Sequence, residues 1–105
     1  MKKRLVSGIQ PSGVMHIGNY FGAIKQFVDL QNEHDASIFI ADLHALTTVH
    51  DKDILSKNIL NIAMDYLACG LDPEKVTLFK QSDIPEVTEL TWYLNCLTPM
   101  PFLAR

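Results

Sequence analysis

Apolar positions change their period along this chain, and each change marks a new element. Arg4 to Ile9 places Leu5, Val6 and Ile9 ahead of the turn-forming cluster Gln10-Pro11-Ser12-Gly13, which reads as a short strand and its exit. Ile17, Tyr20, Phe21, Ile24, Phe27, Val28 and Gln31 then recur at three- and four-residue spacings, predicting a helix from about Gly18 to Asn32. Ala36 to Ala41 is a nearly continuous apolar run, the signature of a strand buried on both faces of a parallel sheet. Asp51 stands as N-cap before a second helix whose stripe is Leu55, Ile59, Ile62, Ala63, Tyr66 and Leu67. Gly70, with Pro73 beyond it, ends that helix. Val76 to Phe79 forms a third strand, and Pro85 opens a third helix with Val87, Leu90, Tyr93 or Leu94, and Leu97 on its apolar face.

The order is βαβαβα, which calls for three parallel strands, right-handed crossovers and helices packed on the sheet. That is an α/β chain forming half of a doubly wound, Rossmann-like fold. The last residues, Pro99 to Arg105, are apolar without forming an evident element, so the chain is expected to be a piece of a longer one. In a doubly wound sheet the first strand is central, and here its outer edge would lack a partner. The isolated chain is therefore expected to pair with itself or to be marginally stable.

Charge and composition narrow the function. Nine Lys and Arg against twelve Asp and Glu leave a formal charge of −3, so no overall charge argument points to nucleic acid. A hydrophobic fraction of 48% excludes a disordered tail. The two cysteines, Cys69 and Cys96, lack CxxC spacing, which argues against a disulfide framework or zinc knuckle and for a reducing compartment. Met1-Lys2-Lys3-Arg4 resembles the start of a signal peptide, yet Gln10 to Gly13 interrupts any apolar core. No segment reaches the length of a membrane helix, and a soluble, cytoplasmic protein is expected.

Chemistry concentrates between Ser7 and Tyr20. This stretch leaves the first strand, turns, and enters a helix, where free backbone N–H groups and the positive end of the dipole attract phosphate. Gly8, Gly13 and Gly18 allow close approach of backbone or a flat ring. Gln10 and Ser12 add polar groups at the strand exit, while His16 and Asn19 share one helical face and can offer donors to phosphate oxygens. The glycine spacing matches neither GxGxxG nor GxxxxGKS.

His16-Ile17-Gly18-Asn19 resembles the HIGH signature of class I aminoacyl-tRNA synthetases, with Asn in place of the second His. The string from Ser7 to Gly13, and Asn19-Tyr20-Phe21-Gly22-Ala23-Ile24 after it, resembles the tryptophanyl-tRNA synthetases in particular. The likeness continues through Ile40 to Thr47, Gly70-Leu71-Asp72-Pro73 and Gln81 to Glu86. It implies that residues 1–105 are the amino-terminal half of a class I catalytic domain, with the second half and the anticodon-binding domain outside them.

The same resemblance implies activation of L-tryptophan by ATP, with Mg2+ carried by the nucleotide, and transfer of the acyl group to tRNA by a homodimeric enzyme. Gln10, Pro11, Ser12, Gly18 and Asn19 would line the ATP site, with His16 and Asn19 as catalytic residues near the triphosphate. Val6, Gly8, Asp42 and His44 would contribute to the tryptophan site. The lysine-bearing KMSKS loop, and the helix whose acidic residue reads the indole N–H, are not in this sequence. The 105-residue chain alone is therefore expected to be inactive or very weak.

Other features carry plainer readings. Asp42, His44 and His50 are too scattered for a metal site, and none is expected. Cys69 and Cys96 read as small buried hydrophobes, and Met15, Phe21, Phe27 and Phe79 as core. Trp92 reads as core or interface, and Lys57, Lys75 and Lys80 as solvated surface. Against the catalytic reading stand two others: a non-catalytic nucleotide-binding half-domain, and a module that pairs its sheet edge with a partner strand.

Overall fold

The structure, a computed structural model, describes residues 1–99 and Phe102. The tail residues Met100, Pro101 and Leu103 to Arg105 lie outside the described part. Strands β1 (Lys3–Ile9), β2 (His34–Ile40) and β3 (Val76–Lys80) form one parallel sheet in the order β1-β2-β3. The first crossover is a continuous helical run. It starts as α1 (Ile17–Asn19), widens into a π-turn (Tyr20–Ile24) and continues as α2 (Lys25–Leu30). A short helix α3 (Asp42–Ala45) follows β2, and α4 (Lys52–Ala68) makes the second crossover. A 3-10 turn, Gln81–Asp83, leads from β3 to α5 (Pro85–Leu97).

Local signals account for most of these limits. The Asp51 carboxylate accepts from the N–H groups of Asp53 and Ile54 at 2.9 Å each, capping α4. Gly70 closes that helix with a φ of 103°, a left-handed conformation that suits glycine. Pro85 occupies the first turn of α5, as expected.

Both crossover helices pack on one face of the β1-β2-β3 sheet, as right-handed connections between parallel neighbours require. Leu5 and Ile9 of β1, Ala36, Ile38 and Ile40 of β2, and Val76 and Leu78 of β3 meet Ile24, Phe27, Ile62 and Tyr66 there. The opposite face carries Val6, Gly8, Ser37, Phe39, Thr77 and Phe79, and no described helix covers it fully. The apolar run of β2 is thus buried on one face and half-buried on the other, not buried on both. The outer edge of β1 has no strand partner among the described residues.

Several core expectations are corrected. Val87, Leu90, Tyr93, Leu94 and Leu97 are all exposed, and α5 buries no residue. Among the described residues no strand follows this helix, and its main contact is with the Gln81–Asp83 turn. Trp92 and Cys96 are exposed with it, while Cys69 is half-buried. Phe21 is also exposed, because the wide winding of the π-turn rotates it away from Ile24; its ring meets Tyr20 edge-on. Leu67 falls outside the buried stripe of α4.

Candidate functional site

In a parallel sheet all carboxyl ends lie together, so the segments after Ile9, Ile40 and Lys80 converge on one rim. After β1 the chain turns tightly, with Ser12 N–H donating to the Gln10 carbonyl at 2.9 Å. Pro11 is fully buried in this turn and Ser12 is exposed. The loop then meets α1 through a reciprocal cap. His16 Nδ1 accepts from Gly18 N–H at 3.1 Å, and Asn19 Oδ1 accepts from His16 N–H at 3.1 Å.

This cap leaves little room for a side chain at position 18. A Cβ there would lie 3.0 Å from both Cε1 and Nδ1 of His16, against the ring that accepts the Gly18 N–H. It also assigns a tautomer: Nδ1 is an acceptor, so the neutral imidazole carries its hydrogen on Nε2, free to donate outward. The π-turn at Tyr20–Ile24 begins one residue after Asn19.

After β2, Asp42 is buried and its carboxylate is already engaged. Oδ1 accepts from the N–H groups of Leu43 and Ser82 at 3.0 Å each, and Oδ2 accepts from the Ser82 hydroxyl. Asp42 therefore ties α3 to the turn after β3. His44 is exposed on the same short helix, with Nδ1 3.0 Å from Gln81 Oε1. Gln10 reaches across from β1 and donates to the His44 carbonyl and the Thr48 hydroxyl, at 3.4 Å each. Beyond them the turn closes on itself: the Lys80 N–H and ammonium bind Asp83 at 3.0 and 3.2 Å. The Lys80 backbone N–H, with the ammonium, holds the Asp83 carboxyl below its usual range.

Adjoining hollows open on the uncovered sheet face. One, of about 250 Å3, is lined by Gly8, Gln10, Phe39, Ala41 and His44. A second, of about 220 Å3, is lined by Val6, Phe39, Phe79, Gln81 and Val87. Phe39 belongs to both, so Val6, Gly8, Gln10 and His44 share one rim, with Asp42 buried behind it. His16, Gly18 and Asn19 stand at the neighbouring helix start and line neither hollow. From the sequence alone Phe39 carries no sign of a site role, Phe79 reads as core and Gln81 has no evident task. The strand parity of Phe39 with Val6 and Gly8, and the place of Gln81 just past β3, were the available signals. Among the described residues no group of three or more His, Cys, Asp or Glu side chains gathers in metal-binding fashion.

A three-stranded parallel sheet, with a His-Ile-Gly-Asn turn capping the helix after its first strand, places the chain in the class of Rossmann-like α/β folds. The chain belongs to the family described as tRNA synthetases class I (W and Y), whose model matches residues 1–105. Within that family it is similar to the tryptophan–tRNA ligase of Rhodopirellula baltica, 61% identical over 102 residues, covering 97% of this chain and 32% of the relative. The tryptophanyl-tRNA synthetase of Campylobacter jejuni, solved with ADP and tryptophan, superposes with a TM-score of 0.89 at 49% identity, covering 97% of this chain and 32% of that one. The enzyme of Mycoplasma pneumoniae superposes with a TM-score of 0.93 at 36% identity, covering 100% of this chain and 30% of that one. The chain thus spans about a third of the length of the curated relatives it matches.

Proposed function

We propose that this chain is the amino-terminal part of the catalytic domain of a tryptophan–tRNA ligase, carrying its HIGH-like ATP-binding loop. The similarity to tryptophan–tRNA ligases over 102 residues, at up to 61% identity, carries this reading. The capped loop beside an aromatic-walled hollow supports it. In this reading the tryptophan carboxylate attacks the α-phosphate of ATP, pyrophosphate leaves, and the acyl group passes from the adenylate to tRNA. The loop from Gln10 to Asn19 binds the nucleotide: Ser12 and the outward N–H of His16 donate to phosphate oxygens, and Gly18 lets the ribose or base approach. Such fixed donors stabilise charge where it develops and hold the reactants in line. Val6, Gly8, Phe39 and His44 form one wall for the amino acid, with Asp42 fixing the helix that carries His44.

Magnesium would arrive with the triphosphate as its counter-ion. A cytoplasmic, homodimeric enzyme that charges tRNA follows from the same reading; no helix among the described residues is long and apolar enough to cross a membrane. Exchange of pyrophosphate into ATP by the full-length protein tests the reading. Exchange should depend on tryptophan and respond poorly to tyrosine, and exchange driven equally by both would sink it. The 105-residue chain on its own should show little or none.

A further inference from the structure

We propose that Gln81 is a positioning residue that fixes the tautomer of His44, leaving a bare Nε2 lone pair for a donor group of the bound amino acid. This rests on the reading of the rim hollows as the amino-acid site. A neutral imidazole has one donor and one acceptor nitrogen, and the partner of one sets the role of the other. Gln81 Oε1, a carbonyl oxygen that can only accept, stands 3.0 Å from His44 Nδ1. Nδ1 therefore carries the hydrogen, and Nε2 has no partner among the described residues. That is the reverse of His16, where Nδ1 accepts from Gly18. The two histidines of this rim thus present opposite faces, His16 a donor toward phosphate and His44 an acceptor toward an ammonium or N–H.

The arrangement is held from several directions. The Asp42 carboxylate grips the N–H and hydroxyl of Ser82, the residue after Gln81, so the turn bearing Gln81 is anchored to the helix bearing His44. The His44 carbonyl is held by the Thr47 hydroxyl at 2.8 Å and by Gln10 at 3.4 Å. His44 and Gln81 also line a common hollow of about 250 Å3 with Leu43, Thr47, Val87 and Thr88. Gln81 further lines the hollow of Val6, Phe39 and Phe79, so it lies between His44 and the aromatic wall.

The test is nitrogen-15 NMR of the imidazoles in the full-length protein at mildly alkaline pH, with His44 assigned by the signal lost in His44→Asn. A protonated Nδ1 and a pyridine-like Nε2 are expected. Gln81→Met should move His44 toward the Nε2–H form that prevails for free histidine, and raise KM for tryptophan about threefold to tenfold, one hydrogen bond's worth, with kcat within about twofold. Gln81→Glu keeps the acceptor and should restore both tautomer and KM. A pyridine-like Nδ1 in the unaltered protein overturns the proposal, and so does a tautomer change in Gln81→Met without a change in KM. A protein that activates no amino acid would overturn the functional reading instead, while the spectrum still reports the tautomer.

Discussion

Gly8 and Phe39 face each other across the β1–β2 ladder, and a Cβ on Gly8 would overlap the Phe39 carbonyl oxygen and lie 2.8 Å from its ring carbon Cδ2. The ring of Phe39 occupies the space that a side chain at position 8 would need, and it walls both hollows from there. Gly8→Ala is expected to cost about 1–3 kcal/mol by overpacking, measured by denaturant unfolding. Because the carbonyl oxygen is backbone, adding Phe39→Ala should restore only part of the loss. Full restoration by that second change would show that the ring alone matters.

The reciprocal cap of His16 and Asn19 secures the start of α1, and under the proposed function the same two side chains serve the chemistry. Removing both side chains by His16→Ala and Asn19→Ala should lower stability by about 1–2 kcal/mol, the worth of lost caps. Under the proposed function, adenylate formation in the full-length protein should fall by about a hundredfold or more, since a fixed donor at the phosphates is lost. Pyrophosphate exchange beside unfolding curves separates the effects, and a proportionate fall in both would reduce the pair to a cap. Gly18→Ala, which pushes against the same imidazole, should cost no more stability than His16→Ala.

Gln31 is buried and joins two distant segments. Its Nε2 donates to the Gly70 carbonyl at 3.1 Å and its Oε1 accepts from Asp72 N–H at 2.8 Å. Gln31→Leu keeps the bulk but leaves both backbone groups without their partner. A loss of about 1–3 kcal/mol is expected in chemical denaturation. An unchanged unfolding curve would mean that water replaces the amide at that joint.

What the sequence revealed was local. The strands, the Asp51 cap, the Gly70 stop and Pro85 each follow from neighbouring residues, and the loop at the end of β1 follows from the strand-to-helix change beside it. The hidden features join positions far apart: Gln81 with His44 lies 37 residues along the chain, Ser82 with Asp42 40, and Asp72 with Gln31 41. A polar residue in a helix stripe or after a strand gives no sign of such a partner. The apolar run of β2 likewise does not say which face the helices will cover, and so Phe39 could not be separated from core. For α5 an apolar stripe was present, but a stripe states what a helix could bury and not whether a surface is there to receive it.

Tyr66 is fully buried against Phe27, with ring centroids 6.2 Å apart, and its hydroxyl has no hydrogen-bond partner among the described residues. Burial pushes the phenol far above its ordinary value near 10, the nearby Ile9 backbone offsetting only a little. The folded protein then keeps a proton at alkaline pH that the unfolded chain releases. Stability from this source is present in full below about pH 10 and is lost as pH rises beyond it, since the unfolded state binds fewer protons there. Tyr66→Phe removes both the ionisation and an unsatisfied hydroxyl. It should be neutral to stabilising near neutral pH, and should flatten the fall in stability above about pH 10. Denaturant unfolding at neutral and alkaline pH, beside the phenolate absorbance that the substitution removes, measures both effects. A clear loss of stability in Tyr66→Phe at neutral pH would reveal an ordered water or backbone group bound to that hydroxyl.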